Sequence, residues 1–296
     1  RRDGQSGGLT RQAGIGGEAG RQGTARRSPA LQCALLVARW NRVMTLGIVA
    51  ALHEEIADLL AEMAPGAHVE HIGMRDYHVG KLHGHDCVIV LARIGKVAAA
   101  ATTTALIHRF DVDEIIFTGL AGGLAHGLSV GDVVVADTFV QHDMDASPLF
   151  PRFEIPLLGR AAFDTAPALR DALAQAARDW LAEDMPAQVG AALRAELQMT
   201  APRVHVGKIA SGDRFVSSAQ EVDRLRDALP EALAVEMEGA AVAQVCHEYG
   251  IPFAVMRTLS DAADDDAHVD FARFLREVAS RYSHGILRRF LTARQA

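Results

Sequence analysis

The sequence predicts a single α/β domain with a mostly parallel central sheet. Short apolar runs rich in β-branched residues alternate along the chain with longer runs of helical character, and this alternation is typical of parallel sheets. Of the 296 residues, 49% are hydrophobic, which is enough to bury one large core. Because ligands of such sheets bind at the carboxyl ends of the strands, we expect polar residues at those ends to carry the chemistry.

The first 43 residues differ in composition from the rest of the chain. They are rich in Arg, Gly, Ser and Gln, with Asp3 and Glu18 as their acidic residues, and such a composition cannot build a core. A basic pair followed by a short apolar run weakly resembles a signal peptide, but no convincing cleavage site follows before Trp40. We therefore predict a disordered extension at residues 1–43, a folded domain at 44–296, and a cytoplasmic location.

Charge and cysteine usage narrow the classes of partner. The formal charge is -7 and the folded part has no basic stripe, which argues against nucleic acid and favours a small molecule. Cys33, Cys87 and Cys246 are far apart, so neither disulfides nor a zinc site is indicated. His83 and His85 have a metal-ligand spacing that a hairpin turn explains equally well. No apolar run approaches the roughly 20 residues of a membrane span. We predict no metal, no cofactor and no membrane contact.

The elements can be assigned in order from the apolar pattern. Residues 45–52 form a buried first strand, and the acidic pair at its end opens a helix over 56–63. A pair of strands over 71–93 turns at Gly84 and leads into an Ala-rich helix over 97–110. The same criteria predict further strands at 114–118, 133–136, 204–210, 232–237 and 251–259, and helices at 167–181, 188–197, 218–229 and 270–294.

Two glycine-containing stretches resemble nucleotide-binding loops only superficially. Gly95-Lys96 lacks the flanking residues of a P-loop, because Val90 and Val97 stand in the required positions. Residues 119–123 follow a predicted strand but fail the dinucleotide pattern, because Ala121 replaces its second glycine. Residues 119–123 therefore suit either a close backbone approach to some ligand or a plain glycine-rich turn.

Residues 141–156 are predicted to form a long irregular loop, and loops of this length are usually functional. Its apolar side chains are costly to leave in water, so we expect them to pack on a partner subunit or a ligand. These side chains are Leu149, Phe150, Phe153 and Ile155.

Acidic residues stand at three predicted element ends. Ser260 and Asp261 follow the strand at 251–259, where they suit either chemistry or the cap of a following helix. Glu55 follows the first strand, and Glu238 begins a helical run, where an acid also suits the helix dipole. Two acidic clusters are thus brought to neighbouring element ends, and Ser260 and Asp261 stand where chemistry is expected.

Four motifs in order carry a resemblance to a known family. They are Ile94-Gly-Lys-Val-Ala-Ala-Ala, Ser211-Gly-Asp, Val235-Glu-Met-Glu and Ser260-Asp-Ala-Ala-Asp. Over about residues 46–291 the chain resembles the methylthioadenosine/S-adenosylhomocysteine nucleosidases of the purine nucleoside phosphorylase superfamily. The resemblance implies a three-layer αβα domain with a mixed, mostly parallel twisted sheet. It also implies hydrolysis of an N-glycosidic bond.

The resemblance also assigns roles to the acids. It implies that Asp261 protonates adenine N7 as general acid, with Ser260 orienting its carboxyl group. Glu55 matches the acid that activates water as general base. Glu238 matches the carboxylate that binds the ribose hydroxyls, where its charge would also stabilise an oxocarbenium-like transition state.

The pocket walls carry over in the same way. Phe215 resembles the ring that stacks on adenine, and Val216 the residue whose backbone reads the edge of the base. Ala121 and Gly122 would approach the ribose. The resemblance implies an apolar wall around the 5′-alkylthio group, formed by Ile94, Met237 and Phe271, and a homodimer whose second subunit completes this end of the pocket.

One departure and three rival functions stay open. Leu120 stands where relatives commonly have Ser, which puts substrate detail in doubt. A phosphate-dependent phosphorylase would need cations and donors where Phe117, Leu120 and Glu55 stand, and Arg93 is the nearby cation that could serve it. A hydrolase of futalosine-type nucleosides would use the same three acids. A nonenzymatic nucleoside-binding or storage protein would not require them.

Overall fold

A computed structural model describes residues 44–63, 65–199, 201–261 and 267–294, so the predicted extension at 1–43 lies outside the described residues. The described strands form one sheet. They are β1 (Thr45–Ala50), β2 (His68–Ile72), β3 (Arg75–Leu82), β4 (His85–Leu91), β5 (Glu114–Phe117), β6 (Leu120–Gly123), β7 (Val133–Gln141), β8 (Ala162–Asp164), β9 (Val204–Ser211), β10 (Ala232–Glu236) and β11 (Phe253–Asp261).

Helices lie in half of the connections between consecutive strands. A 3₁₀ turn at His53–Glu55 follows β1. The α-helices are α1 (Ala57–Met63), α2 (Lys96–Arg109), α3 (Pro167–Glu183), α4 (Met185–Gln188), α5 (Ala191–Glu196), α6 (Ala219–Ala228), α7 (Gly239–Tyr249), α8 (Ala267–Phe274) and α9 (Ser280–Ala293), with a π-helical turn at Leu275–Ala279 between the last two. Within the described ranges, no helix has both the length and the apolar character needed to cross a membrane.

The sheet is mixed, and its second half closes on itself. Its strand order is β2-β3-β4-β1-β5-β11-β6-β10-β9-β7-β8, and β11 also pairs with β7. The pairings of β1 with β4 and β5, and of β11 with β5 and β6, are parallel, whereas β2, β3 and β4 form an antiparallel meander. The predicted mixed sheet in a single α/β domain is confirmed. The closed ring β11-β6-β10-β9-β7 was not predicted.

Both faces of β1 are buried, which explains its continuous apolar sequence. Successive side chains on a strand point to opposite faces. Ile48 accordingly packs in a cluster with residues of α3 and α9, whereas Val49 packs in another with residues of α2 and α7. With both faces covered, polar chemistry is left to the strand ends.

Several predicted elements differ from those observed. Residues 119–123 include β6, which pairs with β10 and β11. The predicted helix at 188–197 is broken, with α4 ending before Val189 and α5 beginning after Gly190. The predicted helix at 270–294 begins earlier and contains the π-helical turn. The three-residue strand β8 was missed because so short a run has no periodicity.

Some apolar side chains of the long loop after β7 pack within the chain itself, which was not expected. Ile155 is buried in the chain's own core and forms a bridge with Arg160. Phe153 packs partly against a small cluster of the same chain. The expectation that these side chains pack on a partner or a ligand is therefore wrong for Ile155. Leu149 remains 83% exposed, and Leu157, just after the predicted loop, is 92% exposed.

Candidate active site

A cavity lies at the carboxyl ends of β1, β10 and β11. It is lined by every predicted site residue except Ser260, namely Glu55, Ile94, Ala121, Gly122, Phe215, Val216, Met237, Glu238, Asp261 and Phe271. Ser260 lies beside the cavity and contacts Asp261. Residues far apart in sequence meet here because parallel strands bring their carboxyl ends to one edge of the sheet.

Glu55 is held at the end of β1 by backbone donors. Its Oε2 accepts hydrogen bonds from the amides of Ala51 and Leu52, at 2.8 and 2.9 Å. Its Oε1 accepts one from the amide of Leu120 at 3.2 Å. Burial raises the pKa of Glu55 even though these three amides and the Arg257 charge favour the carboxylate. The group is thus fixed in position and binds a proton more readily than an ordinary glutamate.

Gly119 allows this arrangement to be compact. A Cβ atom at this position would lie 3.0 Å from Glu55 Oε1 and 3.2 Å from Arg257 Nη1. The adjacent Leu120 contributes its backbone N–H to Glu55, and a backbone donor does not depend on the side chain. A leucine at this position therefore leaves this hydrogen bond available.

Glu238 lines the cavity just before α7. Its Oε1 accepts a hydrogen bond from the amide of Gly95 at 2.8 Å. Burial and the neighbouring Glu236 charge raise the pKa of Glu238 to about 8, against the opposing effects of Arg257 and the Gly95 amide. This carboxyl group therefore binds a proton more readily than an ordinary glutamate.

Glu236 and Arg257 form a buried ion pair that sequence analysis missed. Arg257 donates from Nη2 and Nε to Glu236 Oε2, at 2.7 and 3.2 Å, and its guanidinium lies 3.9 Å from the centre of the Phe117 ring. Glu236 also accepts hydrogen bonds from the hydroxyl of Ser211 and the amide of Gly239. A signal was present, because an arginine inside an apolar strand needs a buried partner.

Asp261 ends β11 inside the cavity and is only 4% exposed. The hydroxyl of Ser260 donates to Asp261 Oδ2 at 2.7 Å, which is the contact expected of an orienting residue. The alternative that Ser260 and Asp261 cap a helix falls partly on residues 262–266, outside the described residues. Asp264, the last residue of the motif, lies there too.

The mouth of the cavity is open and largely apolar, with the exposed side chain of Arg214 as a cation on its lining. The rings of Phe215 and Phe271 meet edge to face with their centres 5.8 Å apart. Phe215 is 43% exposed and Ile94 is 56% exposed, so the mouth leaves apolar surface uncovered. Carboxyl groups inside and apolar groups at the rim suit a ligand with a polar body and an apolar end.

The chemistry of the cavity is acid–base chemistry near a concentration of negative charge. Glu55, Glu236, Glu238 and Asp261 line it, and the buried guanidinium of Arg257 pairs with Glu236. Over the described part of the chain, no group of three or more His, Cys, Asp or Glu side chains is arranged to hold a metal ion.

The raised pKa of Glu238 should make stability depend on pH. Between pH 4.5, the ordinary pKa of the side chain, and about pH 8, the folded state keeps a proton that the unfolded state has already released. The free energy of unfolding therefore falls as the pH rises through this window. We expect the melting temperature to fall less from pH 5 to pH 8 in Glu238→Gln than in the wild type. Glu248→Gln, an exposed change at the other end of α7, is the control. Equal slopes in all three proteins would contradict this account.

Comparisons with known proteins agree with this geometry. The family model described as the phosphorylase superfamily matches residues 45–292. The 5′-methylthioadenosine/S-adenosylhomocysteine nucleosidase of Geobacillus thermodenitrificans is 37% identical over 254 residues, which cover 86% of this chain and 98% of the relative.

Solved structures include members with two activities. The 5′-methylthioadenosine/S-adenosylhomocysteine nucleosidase of Neisseria meningitidis, in complex with methylthio-immucillin-A, is 34% identical with a TM-score of 0.73, covering 84% of this chain and 99% of that one. The futalosine hydrolase of Helicobacter pylori is 31% identical with a TM-score of 0.71, covering 83% and 97%. The chain therefore belongs to the phosphorylase superfamily and, within it, to the methylthioadenosine/S-adenosylhomocysteine nucleosidases.

Proposed function

We propose that the protein hydrolyses the N-glycosidic bond of 5′-methylthioadenosine and S-adenosylhomocysteine. The products are adenine and the 5-thio-substituted ribose, which places the enzyme in methionine salvage and in recycling of S-adenosylmethionine by-products. The observation that carries the proposal is one cavity with Glu55 and Asp261 buried at separate strand ends beneath an apolar mouth. The Neisseria relative was solved in complex with methylthio-immucillin-A, which supports a thioether nucleoside as ligand.

Leaving-group protonation is the task of Asp261. In its protonated form Asp261 donates to adenine N7, so the base departs as a neutral molecule rather than as an anion. Ser260 holds carboxyl oxygen Oδ2 of Asp261 in position by its 2.7 Å hydrogen bond. Phe215 stacks on the purine, and the backbone of Val216 reads its edge.

The sugar is held and attacked from the side of Glu55 and Glu238. Glu55 as carboxylate takes a proton from the attacking water. Glu238 binds the ribose hydroxyls, and positive charge developing on the ribosyl ring favours its ionised form. Ala121 and Gly122 allow the ring to approach the backbone. The 5′-alkylthio group then lies against Ile94, Met237 and Phe271.

The donors and charges of this cavity suit water rather than phosphate as the nucleophile. The amides of Ala51, Leu52 and Leu120 already bind Glu55, so they do not serve a dianion. A phosphate dianion would also be repelled by the negative charge of Glu55 and its acidic neighbours. Arg93 lines a neighbouring groove rather than this cavity. These contacts favour hydrolysis over phosphorolysis.

A futalosine-type nucleoside is the second candidate substrate. The structural similarity to the Helicobacter pylori futalosine hydrolase supports it, and the three acids would serve both reactions. The apolar side chains Ile94 and Phe271 at the mouth favour a thioether over a more polar 5′ group.

Adenine release from methylthioadenosine, measured without and with phosphate, tests the function. We expect free methylthioribose at the same rate in both buffers, and a loss of at least about 100-fold in kcat for Glu55→Gln. Glu54→Gln, an exposed change in the same 3₁₀ turn, is the matched control and should keep wild-type kcat. A sugar 1-phosphate product would make the enzyme a phosphorylase, and no adenine in either buffer would refute the proposed substrate.

The remaining features of the proposal concern architecture and setting. The two clusters around β1 support a three-layer αβα arrangement over the open half of the sheet. The exposed Leu149 and Leu157, together with the open apolar mouth, support a homodimer whose second subunit covers this end of the pocket. A folded domain at 44–296 after an extension at 1–43, and a cytoplasmic location, complete the proposal.

A further inference from the structure

A second groove adjoins the active-site cavity. Ala51 and Leu52 line both of them. After β4, Ile94 lines the cavity while the preceding Arg93 lines the groove. Two separate chain segments thus pass from one depression to the other, and they do so at the apolar end of the cavity.

The backbone at this groove is unusual at two positions. Arg93 has a φ of 67° and Met74 a φ of 61°, both in the left-handed region that residues other than glycine rarely adopt. The two residues are joined, because the guanidinium of Arg93 donates to the carbonyl of Met74. A left-handed conformation is unfavourable for an L-residue. Arg93 therefore occupies a strained backbone position at the edge of the groove.

The two arginines of the groove do different things. The guanidinium of Arg75 donates to the carbonyls of Gly73, Ala92 and Ala98, so it holds the wall together. Arg93 is exposed, and one of the five N–H donors of its guanidinium forms a hydrogen bond with the carbonyl of Met74. Arg93 therefore keeps donors with which it can bind a carboxylate from solution.

The groove combines both charges with apolar surface. Arg93 supplies a cation, and Asp76 supplies an exposed carboxylate whose Oδ1 also contacts the His71 ring at 2.7 Å. Leu52 and the 71% exposed Met74 supply apolar contacts. A ligand that fits this combination has a short apolar segment ending in a carboxylate and an ammonium group. The amino-acid end of a thioether nucleoside has this composition.

We propose that this groove binds the zwitterionic amino-acid end of S-adenosylhomocysteine, with Arg93 binding the α-carboxylate. The inference rests on the proposed function and extends it to discrimination between the two substrates. With the sulfur near Ile94, the methylenes cross Leu52, and the ammonium group faces the side of the groove that carries Asp76. Methylthioadenosine ends in a methyl group at the sulfur and does not reach Arg93.

The test is KM and kcat of Arg93→Gln and Arg93→Lys with three substrates. These are S-adenosylhomocysteine, methylthioadenosine and an uncharged alkylthioadenosine of similar tail length. In Arg93→Gln we expect KM for S-adenosylhomocysteine to rise about 10-fold with kcat unchanged, because a charge-assisted hydrogen bond is lost. The other two substrates should keep their constants, and Arg93→Lys should show a smaller rise. Added salt should raise KM for S-adenosylhomocysteine in the wild type more than in Arg93→Gln.

Arg109→Gln is the control, because Arg109 is exposed on α2 and lines neither depression. An unchanged KM for S-adenosylhomocysteine in Arg93→Gln would overturn the assignment, as would an equal rise for all three substrates. A wild-type protein that hydrolyses none of them would refute the proposed function instead. If the wild type cleaves methylthioadenosine but Arg93→Gln leaves KM for S-adenosylhomocysteine unchanged, only the proposed role of the groove is refuted.

Discussion

Asp261→Asn should lower kcat for methylthioadenosine by about 10³–10⁴-fold, the upper part of the range for general acid catalysis. Asparagine has nearly the shape of aspartate and can still accept the hydrogen bond from Ser260. It cannot deliver a proton to the purine. In an oxocarbenium-like transition state the bond to the base is largely broken before water attacks, so leaving-group protonation contributes more than water activation.

A change of leaving group separates this role from a structural one. A 4-nitrophenyl glycoside of methylthioribose releases 4-nitrophenolate, a stable anion that does not need to be protonated as it leaves. We expect Asp261→Asn to recover most of its lost rate on this substrate, whereas Glu55→Gln should stay impaired on both. Ser260→Ala should lose less than Asp261→Asn on methylthioadenosine, because it affects only the orientation of the acid. Equal loss on both substrates in Asp261→Asn would contradict the general-acid role.

Asp261 could be proposed from the sequence because it follows a recognisable apolar strand, whereas the role of Glu55, at the end of the first strand, came from the family resemblance. Parallel strands bring such ends together whatever their order, so alternation of strands and helices was enough to expect an acidic site. The walls of the cavity were a different matter. Phe215, Met237 and Phe271 have the composition of ordinary core residues, and only the family resemblance singled them out.

The pair of Glu236 and Arg257 shows where sequence reasoning stops. The two residues belong to β10 and β11, which are separated by β6 in the sheet. Their contact depends on the ring that β11 closes by pairing with both β6 and β7. The apolar pattern contains no information on strand order, and the glycine-rich β6 did not register as a strand. A buried partner for Arg257 could be expected, but its identity could not.

Arg257→Met should lower the free energy of unfolding by about 3–5 kcal/mol, the usual cost of leaving one member of a buried ion pair uncompensated. Glu236 is 6% exposed and would be left without its charged partner, the guanidinium of Arg257, which is itself 1% exposed. Urea unfolding followed by circular dichroism measures the change. Arg109→Met, which breaks an exposed pair with Glu70, should cost at most about 1 kcal/mol and serves as the control.

The double variant Arg257→Met/Glu236→Gln separates loss of pairing from loss of packing. Glutamine is neutral, and its side-chain oxygen can still accept from the amide of Gly239, so no buried charge is left. We expect the double variant to be more stable than Arg257→Met alone. If it is equally unstable, the stabilisation comes from packing of Arg257 on Phe117 rather than from the ion pair.

The same guanidinium should control the pH range in which the enzyme works. Its charge lowers the pKa of both Glu55 and Glu238, against the burial that raises them. Without it, Glu55 holds its proton to a higher pH and is a carboxylate over a narrower range. The acid limb of the kcat/KM profile with methylthioadenosine should therefore move to higher pH in Arg257→Met, because the base must be ionised to accept a proton from water. An acid limb at the wild-type pH would show that Arg257 supports the fold of the site without tuning its base.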